Sequence, residues 1–428
     1  MKHRPRRTSS IGGSNTQLVP WIALGFSGGL LLGYLFLGTI EAVVSSRLHT
    51  GDNTIAQQAA ENTVVEVEKR EEVQKLSAQQ SSHAQAVRSS GSQFPDKGTE
   101  IHTLCTSNGS PYLNFQTRIM HGTYKQVQAL PGGERLVGFT RILHRTKPDV
   151  LVDEVPTWRA DPLTPQCDEW CEFPVSDRPN AVAQWMAAAE NHPDMIKAPW
   201  LLMIETDYVW LKPPLAPPAE DTRAPSWAFP FGYIVPTDPG ITGVMRKMFP
   251  EDRGPISRVP GSGPAPVMLR VHEWAKVIPD WERLTAHIEA DKESKEKLGW
   301  VREMYAFSVA VALQNVKLEL LLPPKSPLIS QPPSDTVPGA ASMLHYTWGT
   351  MFLESNDSKT WEFDKRTFTD KSIETETPNI PMPPPFQPRW HLHNKLPVTP
   401  ELHKTLVMML THMNDAIDLL PKPSSRVS

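Results

Sequence analysis

A zinc centre made of four cysteines needs one more than this 428-residue sequence has: there are three in all, Cys105, Cys167 and Cys171. That class of metal site is therefore excluded. Cys167 and Cys171 stand four apart in a loop with Pro165 and Asp168, a spacing open to a local disulfide or to two free thiols. Cys105 lies in an apolar run and reads as a small buried residue. A basic excess is missing as well: 43 Lys and Arg face 47 Asp and Glu, for a net charge of −4. Nothing in that balance suits a nucleic-acid partner. Hydrophobic residues make up only 39%, low for a wholly globular chain, so part of the chain is expected outside any folded core. Proline is abundant, at 43 residues. It resists helix and central strand, which predicts long ordered coil between elements.

Only one long apolar run exists, Leu18 to Ile40, uncharged and of a length suited to a bilayer core of about 30 Å. Lys2, Arg4, Arg6 and Arg7 precede it; Glu41 and Arg47 follow. The positive-inside rule then gives a cytosolic tail (1–17), a membrane helix (18–40) and the rest on the lumenal side. The alternative is a cleaved signal peptide, with Ala42 and Ser45 imitating a cleavage site. Gly25, Gly29 and Gly33 share one face of this helix, a spacing found in ordinary membrane helices and in closely paired ones. Residues 41–98, rich in Ser, Gln, Ala and Glu, read as a flexible stem, with Val64–Leu76 a short charged helix within it. A single domain over 99–420 and a short tail, 421–428, complete the organisation.

Within that domain, Ile101–Thr106, Arg135–Leu143 and Trp200–Glu205 read as strands. Helices are predicted over 113–130, 180–190, 270–276 (ended by Pro279), 281–291, 301–313 and 399–419. Residues 321–340 and 376–400 read as Pro-rich coil. Strands alternating with helices predict an α/β fold with a mostly parallel sheet.

Three segments carry chemistry. Glu205-Thr206-Asp207 stands where the most apolar strand ends, and ligands of open α/β sheets gather at carboxyl ends of strands. Two acids one residue apart project to the same side of an extended segment. Their hard oxygens suit Mn²⁺ or Mg²⁺ bridging to a diphosphate; a solvated surface pair is the plain alternative. His345, in His345-Tyr346-Thr347-Trp348-Gly349, either completes such a metal site or packs in an aromatic cluster, and Gly349 would let backbone approach phosphate. Glu303 sits in the first turn of a helix, where the dipole favours an acid; its functional reading is a group facing the acceptor. Arg118, Arg141 and His144 are further candidates, the arginines for forked contact with diphosphate.

Ten stretches in order, among them SPYLNFQTRIMHGTYKQVQALPG (110–132), RPNAVAQW (178–185), LLMIETDYVWLKP (201–213), GWVREMYAFSVA (299–310), LHYTWG (344–349) and FDKR (363–366), resemble the hydroxyproline O-arabinosyltransferases of plants and green algae. The family's acid motif is usually Glu-Pro-Asp-His. Here Glu205-Thr206-Asp207-Tyr208 keeps both acids and replaces the other two residues. The resemblance implies a GT-A-like nucleotide-sugar domain using a UDP-sugar and Mn²⁺ (or Mg²⁺). It also implies a Golgi type II membrane protein, in an early compartment, that moves L-arabinofuranose from UDP-β-L-arabinofuranose to hydroxyproline with retention of configuration. The acceptors would be hydroxyproline-rich secreted or cell-wall proteins. On that reading Glu205, Asp207 and His345 hold the metal, Thr106, Ser107, Arg118 and Arg141 contact the donor, and Glu303 and Asp207 serve catalysis. Proline-rich acceptors form an extended three-residue helix, so an aromatic groove is expected, from Trp227, Trp300 and Trp348. A serine galactosyltransferase on the same scaffold, a lectin-like binding protein and a metal-dependent hydrolase are the rival readings.

Overall fold

The computed structural model describes residues 94–217 and 225–421. The predicted tail, membrane helix and stem over 1–93 lie outside the described residues, and so do 422–428. Among the described residues no helix is long and apolar enough to cross a membrane.

The main sheet is centred on two strands buried along their whole length. Strands β1 (Ile101–Ser107), β2 (Leu136–His144), β3 (Thr157–Ala160) and β4 (Trp200–Ile204) lie parallel in the order β3-β2-β1-β4. Of these, β1 and β4, buried at every residue, suit strands covered on both faces. After the edge pair β5 (Tyr208–Trp210) and the short β6 (Ser226–Ala228), β7 (Val267–Arg270) inserts antiparallel beside β4. With β6 and β8 (Leu318–Leu320) it extends the sheet to seven strands, β3-β2-β1-β4-β7-β6-β8. The mixed α/β class with a mostly parallel sheet is as the alternation of elements predicts.

Helices cover this sheet. Helix α1 (Pro111–Gln128) starts at Ser110, whose hydroxyl accepts from the Leu113 amide, with Pro111 in the first turn. Helix α2 (Arg178–Asn191) packs on β1, β2 and β3; after the short α3 (Thr242–Met248) comes α4 (Val271–Ala290). Pro279 does not end a helix as predicted; it lies inside α4. Trp274, Val277, Ile278, Trp281, Leu284 and Ile288 form one buried stripe across it. Each such side chain contributes about 1.5–3 kcal/mol on burial, which outweighs the roughly 3 kcal/mol that an internal proline costs. Helices α5 (Lys292–Leu298) and α6 (Arg302–Leu313) follow, α6 packing on α4.

A second core stands beside the first. Strand β10 (Met343–His345) joins β9 (Ile329–Ser330) in parallel and β5 in antiparallel pairing. A hairpin follows, β11 (Gly349–Leu353) with β12 (Lys359–Asp364), and helix α7 (Pro400–Asp418), capped by Thr399, closes the unit. The hairpin and β9 were not predicted, β9 because it interrupts a stretch read as coil. Helix α1 serves both cores: Met120, Tyr124 and Val127 face the main sheet, Phe115 and Ile119 the second cluster.

Gly349 is needed at the start of the hairpin. Its φ is +122°, and a β-carbon there would collide with the carbonyl oxygen of Phe363 on the partner strand. The space it leaves is filled by protein backbone, not kept open for phosphate as the sequence suggested. Gly349→Ala is therefore expected to cost about 2–4 kcal/mol, read as a lower urea midpoint; an unchanged midpoint would refute the tight crossing.

Candidate active site

The carboxyl ends of β1, β2 and β4 meet at a cavity of about 100 Å³. Thr106 and Asn108 line it from the end of β1, His144 from β2, Glu205 and Thr206 from β4, and Pro174, Val175 and Arg178 from the approach to α2. Cys167 and Cys171 are bridged in the loop before that approach, with Cα atoms 4.7 Å apart. Cys105 is free and buried, and burial pushes its thiol up to about 12.

The two acids of Glu205-Thr206-Asp207 do not act as a pair. The expectation of a shared side required extended backbone, but Thr206 and Asp207 form a turn between β4 and β5, and the carboxylates part. Glu205 goes to Arg178, which forks onto it with two contacts of 2.8 Å. Asp207 goes to the other core. Its Oδ2 accepts from Lys365 Nζ at 2.5 Å and lies 3.1 Å from His345 Nε2. The β5–β10 register places His345 opposite Tyr208, one residue beyond Asp207. Burial works to raise the Asp207 carboxyl, but His345 and Lys365 overcome it and hold it well below the usual carboxylate range.

His345 is both things the sequence left open. Its ring packs on Tyr208, 5.0 Å between centroids, and its Nδ1 lies 2.9 Å from Gln331 Oε1. With Nε2 donating to Asp207 Oδ2 the ring helps to hold that carboxylate charged; moving the ring proton to Nδ1, facing Gln331, would free an Nε2 lone pair on the same side. Asp207 Oδ1 is buried with no hydrogen-bond partner. In that second tautomer, two acceptors aimed at one place, beside an orphaned carboxylate oxygen, fit a cation between them. Among the described residues no three His, Cys, Asp or Glu side chains converge as a ligand set. One carboxylate and one imidazole still suffice where substrate phosphates supply the remaining oxygens, the usual arrangement for Mg²⁺. Glu205, with both oxygens on Arg178, is not part of that set.

Glu303 is buried 3.9 Å from Arg178. Burial raises its carboxyl to about 7, Arg178 lowering and Glu205 raising it as lesser influences. It faces Arg178 rather than an open acceptor surface, so any action of Glu303 passes through that guanidinium. His144 is driven the other way: burial first, then Arg178, lowers it to about 3, leaving a neutral ring with an unpartnered Nδ1.

The other predicted contacts fare unevenly. Thr106 lines the cavity. Ser107 is buried at its edge, where its hydroxyl accepts from the Gly109 amide. Arg118 and Arg141 lie outside the lining of this cavity and are paired within the fold. Arg118 is spent on Glu154, Thr377 and the Thr375 and Pro421 carbonyls; Arg141 forks onto Asp149 and donates to Thr157 and Asn114. Trp300 and Trp348 are exposed, whereas Trp227 is half-buried and donates to Glu319. Arg178, Gln331 and Lys365 had no assigned role; the only signal for Arg178 and Lys365 was that both fall in stretches matching the family, 178–185 and 363–366.

A model of the hydroxyproline O-arabinosyltransferase family N-terminal domain matches residues 101–320. Hydroxyproline O-arabinosyltransferase 1 of Arabidopsis thaliana is 36% identical over 291 residues, 67% of this chain and 74% of the relative. Hydroxyproline O-arabinosyltransferase 2 of the same plant is 33% identical over 334 residues, 76% of this chain and 84% of its own length. The chain belongs to the hydroxyproline O-arabinosyltransferase family. Another relative, hydroxyproline O-arabinosyltransferase RDN2 of Medicago truncatula, is 36% identical over 67% of this chain and 76% of its own. The solved apo form of mouse xyloside xylosyltransferase 1 aligns over 58% of this chain and 97% of its own at 12% identity, with a TM-score of 0.28, too loose a likeness to bear on the reaction. The family match takes in β1, α2, the acid turn and Glu303, and ends before His345 and Lys365.

Two predictions follow from the geometry. Arg141→Leu strands the buried Asp149 and should cost about 3–5 kcal/mol in equilibrium unfolding, while nucleotide-sugar KM of the folded fraction stays unchanged; a raised KM would restore Arg141 to the donor site. Glu303 holds its proton more tightly folded than unfolded, its carboxyl standing at about 7 against an ordinary 4.5. Its contribution is full below the unfolded value and is lost as pH rises through 7. Glu303→Gln removes that loss, so its stability relative to wild type should improve by about 2 kcal/mol from pH 5 to pH 8; a flat difference would show that Glu303 is charged throughout.

Proposed function

We propose that this chain transfers L-arabinofuranose from UDP-β-L-arabinofuranose to the 4-hydroxyl of hydroxyproline in secreted or cell-wall proteins. The observation that carries this reading is family membership: relatives 31% to 36% identical, over 67% or more of this chain, are named for that activity. The sheet is read as a GT-A-like nucleotide-sugar domain, on the grounds that its parallel strands end together at a cavity beside the acid turn. UDP is assigned to that cavity and its rim, with Thr106, Asn108 and the neutral His144 toward the nucleoside. Arg178, fixed by Glu205, contributes positive charge at the rim.

Asp207 and His345 are the residues that would hold Mn²⁺ or Mg²⁺, and the ion would neutralise charge gathering on the departing diphosphate. Around it, Gln331 fixes the His345 tautomer and Tyr208 fixes its ring plane. Glu303, neutral below about pH 7, adds little negative charge beneath the donor. Trp300 and Trp348 are the exposed aromatics left for a proline-rich acceptor. The run Leu18–Ile40, with basic residues ahead of it, supports a Golgi type II placement with this domain in the lumen.

The test has two arms. Purified chain is offered UDP-L-arabinofuranose and UDP-galactose, each with hydroxyproline and with serine peptides; faster galactosylation of serine would overturn the reading. Asp207→Asn is expected to lower Mn²⁺-dependent kcat by at least about 100-fold, and near wild-type turnover would remove Asp207 from the site.

A further inference from the structure

Lys365 is a buried lysine at the centre of the site. Its ammonium is 2.5 Å from Asp207 Oδ2 and stands within 6 Å of three aromatic rings, at 5.9 Å from Tyr112 and 5.8 Å from both Tyr346 and Trp348. Such rings attract a cation through their faces, more strongly when it is desolvated. The ammonium thus has three holds, the Asp207 carboxylate, a hydrogen bond with Tyr112 and the surrounding rings. Its backbone is fixed separately, through its amide on the Trp348 carbonyl at the base of the β11–β12 hairpin.

Asp207 is in the opposite position. Its Oδ1 is buried without a hydrogen-bond partner, as is Oε1 of Glu303, and Lys365 and His345 crowd its other oxygen. A divalent ion arriving at Asp207 and His345 would place two positive charges beside the ammonium. At such separations and reduced dielectric, the repulsion is several kcal/mol. The side chain must let go, and its four-carbon stem allows that without moving the hairpin. The aromatic cage still favours a cation close by, and a diphosphate bound to the same ion brings phosphate oxygens there.

We propose that Lys365 is a displaceable counter-ion: it neutralises Asp207 when no metal is bound, and transfers to the donor diphosphate when metal and UDP bind. This rests on the donor reading above. Its consequence is a coupling between ligands. Lys365 opposes metal alone and supports UDP once metal is present, so its removal moves the two affinities in opposite directions. A lysine that merely holds the fold moves both the same way or neither.

The experiment measures binding to the full-length chain by calorimetry, with Mn²⁺ alone and with UDP at saturating Mn²⁺. For Lys365→Met, Mn²⁺ alone is expected to bind about tenfold tighter and UDP about tenfold weaker; Lys365→Arg should recover most of the UDP affinity. Both affinities weakened together, both unchanged, or UDP weakened with Mn²⁺ unaltered would each overturn the proposal. Wild type that binds neither ligand would overturn the donor reading, and this inference with it. A readout independent of any variant is amine labelling of wild-type Lys365 followed by mass spectrometry. Mn²⁺ alone should speed labelling at Lys365, and Mn²⁺ with UDP should suppress it; a rate indifferent to Mn²⁺ would show that the ammonium never leaves Asp207.

Discussion

The site depends on a single buried carboxylate that has acquired its own cations. Asp207 is held in the charged form only because Lys365 and His345 outweigh the cost of its burial. Most of the second core's architecture bears on that contact. The turn after β4 aims Asp207 away from Glu205. The β5–β10 register brings in His345. The β11–β12 hairpin, possible because Gly349 has no side chain, ends one residue before Lys365. Three segments distant in sequence therefore meet at one oxygen atom.

The other acid of the turn repeats the arrangement with different partners. Glu205 is matched by Arg178, as Asp207 is by Lys365, and Glu303 beneath Arg178 stays neutral until about pH 7. The result is a charge-balanced site at neutral pH. A diphosphate entering it brings negative charge that nothing in the resting cluster already neutralises, so either a cation must come with it or a resident cation must change partner. Arg178 is poorly placed to do so: both arms of its fork are committed to Glu205, and Glu303 adds a third attraction. Lys365 holds Asp207 and Tyr112 through single contacts on a flexible stem. The difference between a planar fork and a point charge on a chain decides which of the two cations is free to exchange.

The parts of the fold that can be read from the sequence are those whose burial is total. Trp200–Ile204 is apolar along its whole length and Ile101–Ser107 is buried along its whole length around Ile101, Leu104 and Cys105, and local composition marks both as central strands. Pro279 misled because proline's local penalty is visible, whereas the stripe of buried tryptophans that overrides it is visible only once the helix is allowed to continue. The site divides the same way. Glu205 and Asp207 are found because they follow a buried strand. Their partners are not, because Arg178 is 27 and Lys365 158 residues away. Arg118 and Arg141 mislead for a related reason: in sequence a buried arginine forked onto a structural acid looks the same as one waiting for phosphate. Only burial and partner atoms separate the two.

The departure from the family's usual Glu-Pro-Asp-His can be understood on the same terms. Tyr208 occupies the last position, directly opposite His345 in the β5–β10 pairing, and supports the imidazole with its ring face. Any flat ring at that register would do the same, so the replacement leaves the Asp207–His345 contact in place. Thr206, in the position of the proline, donates its hydroxyl to Gln116 of α1 at 3.2 Å. A side-chain bond to a neighbouring helix thus steadies the turn that a proline would stiffen by fixing φ. At this turn the two acids diverge, each toward its own cation, Glu205 to Arg178 and Asp207 to Lys365.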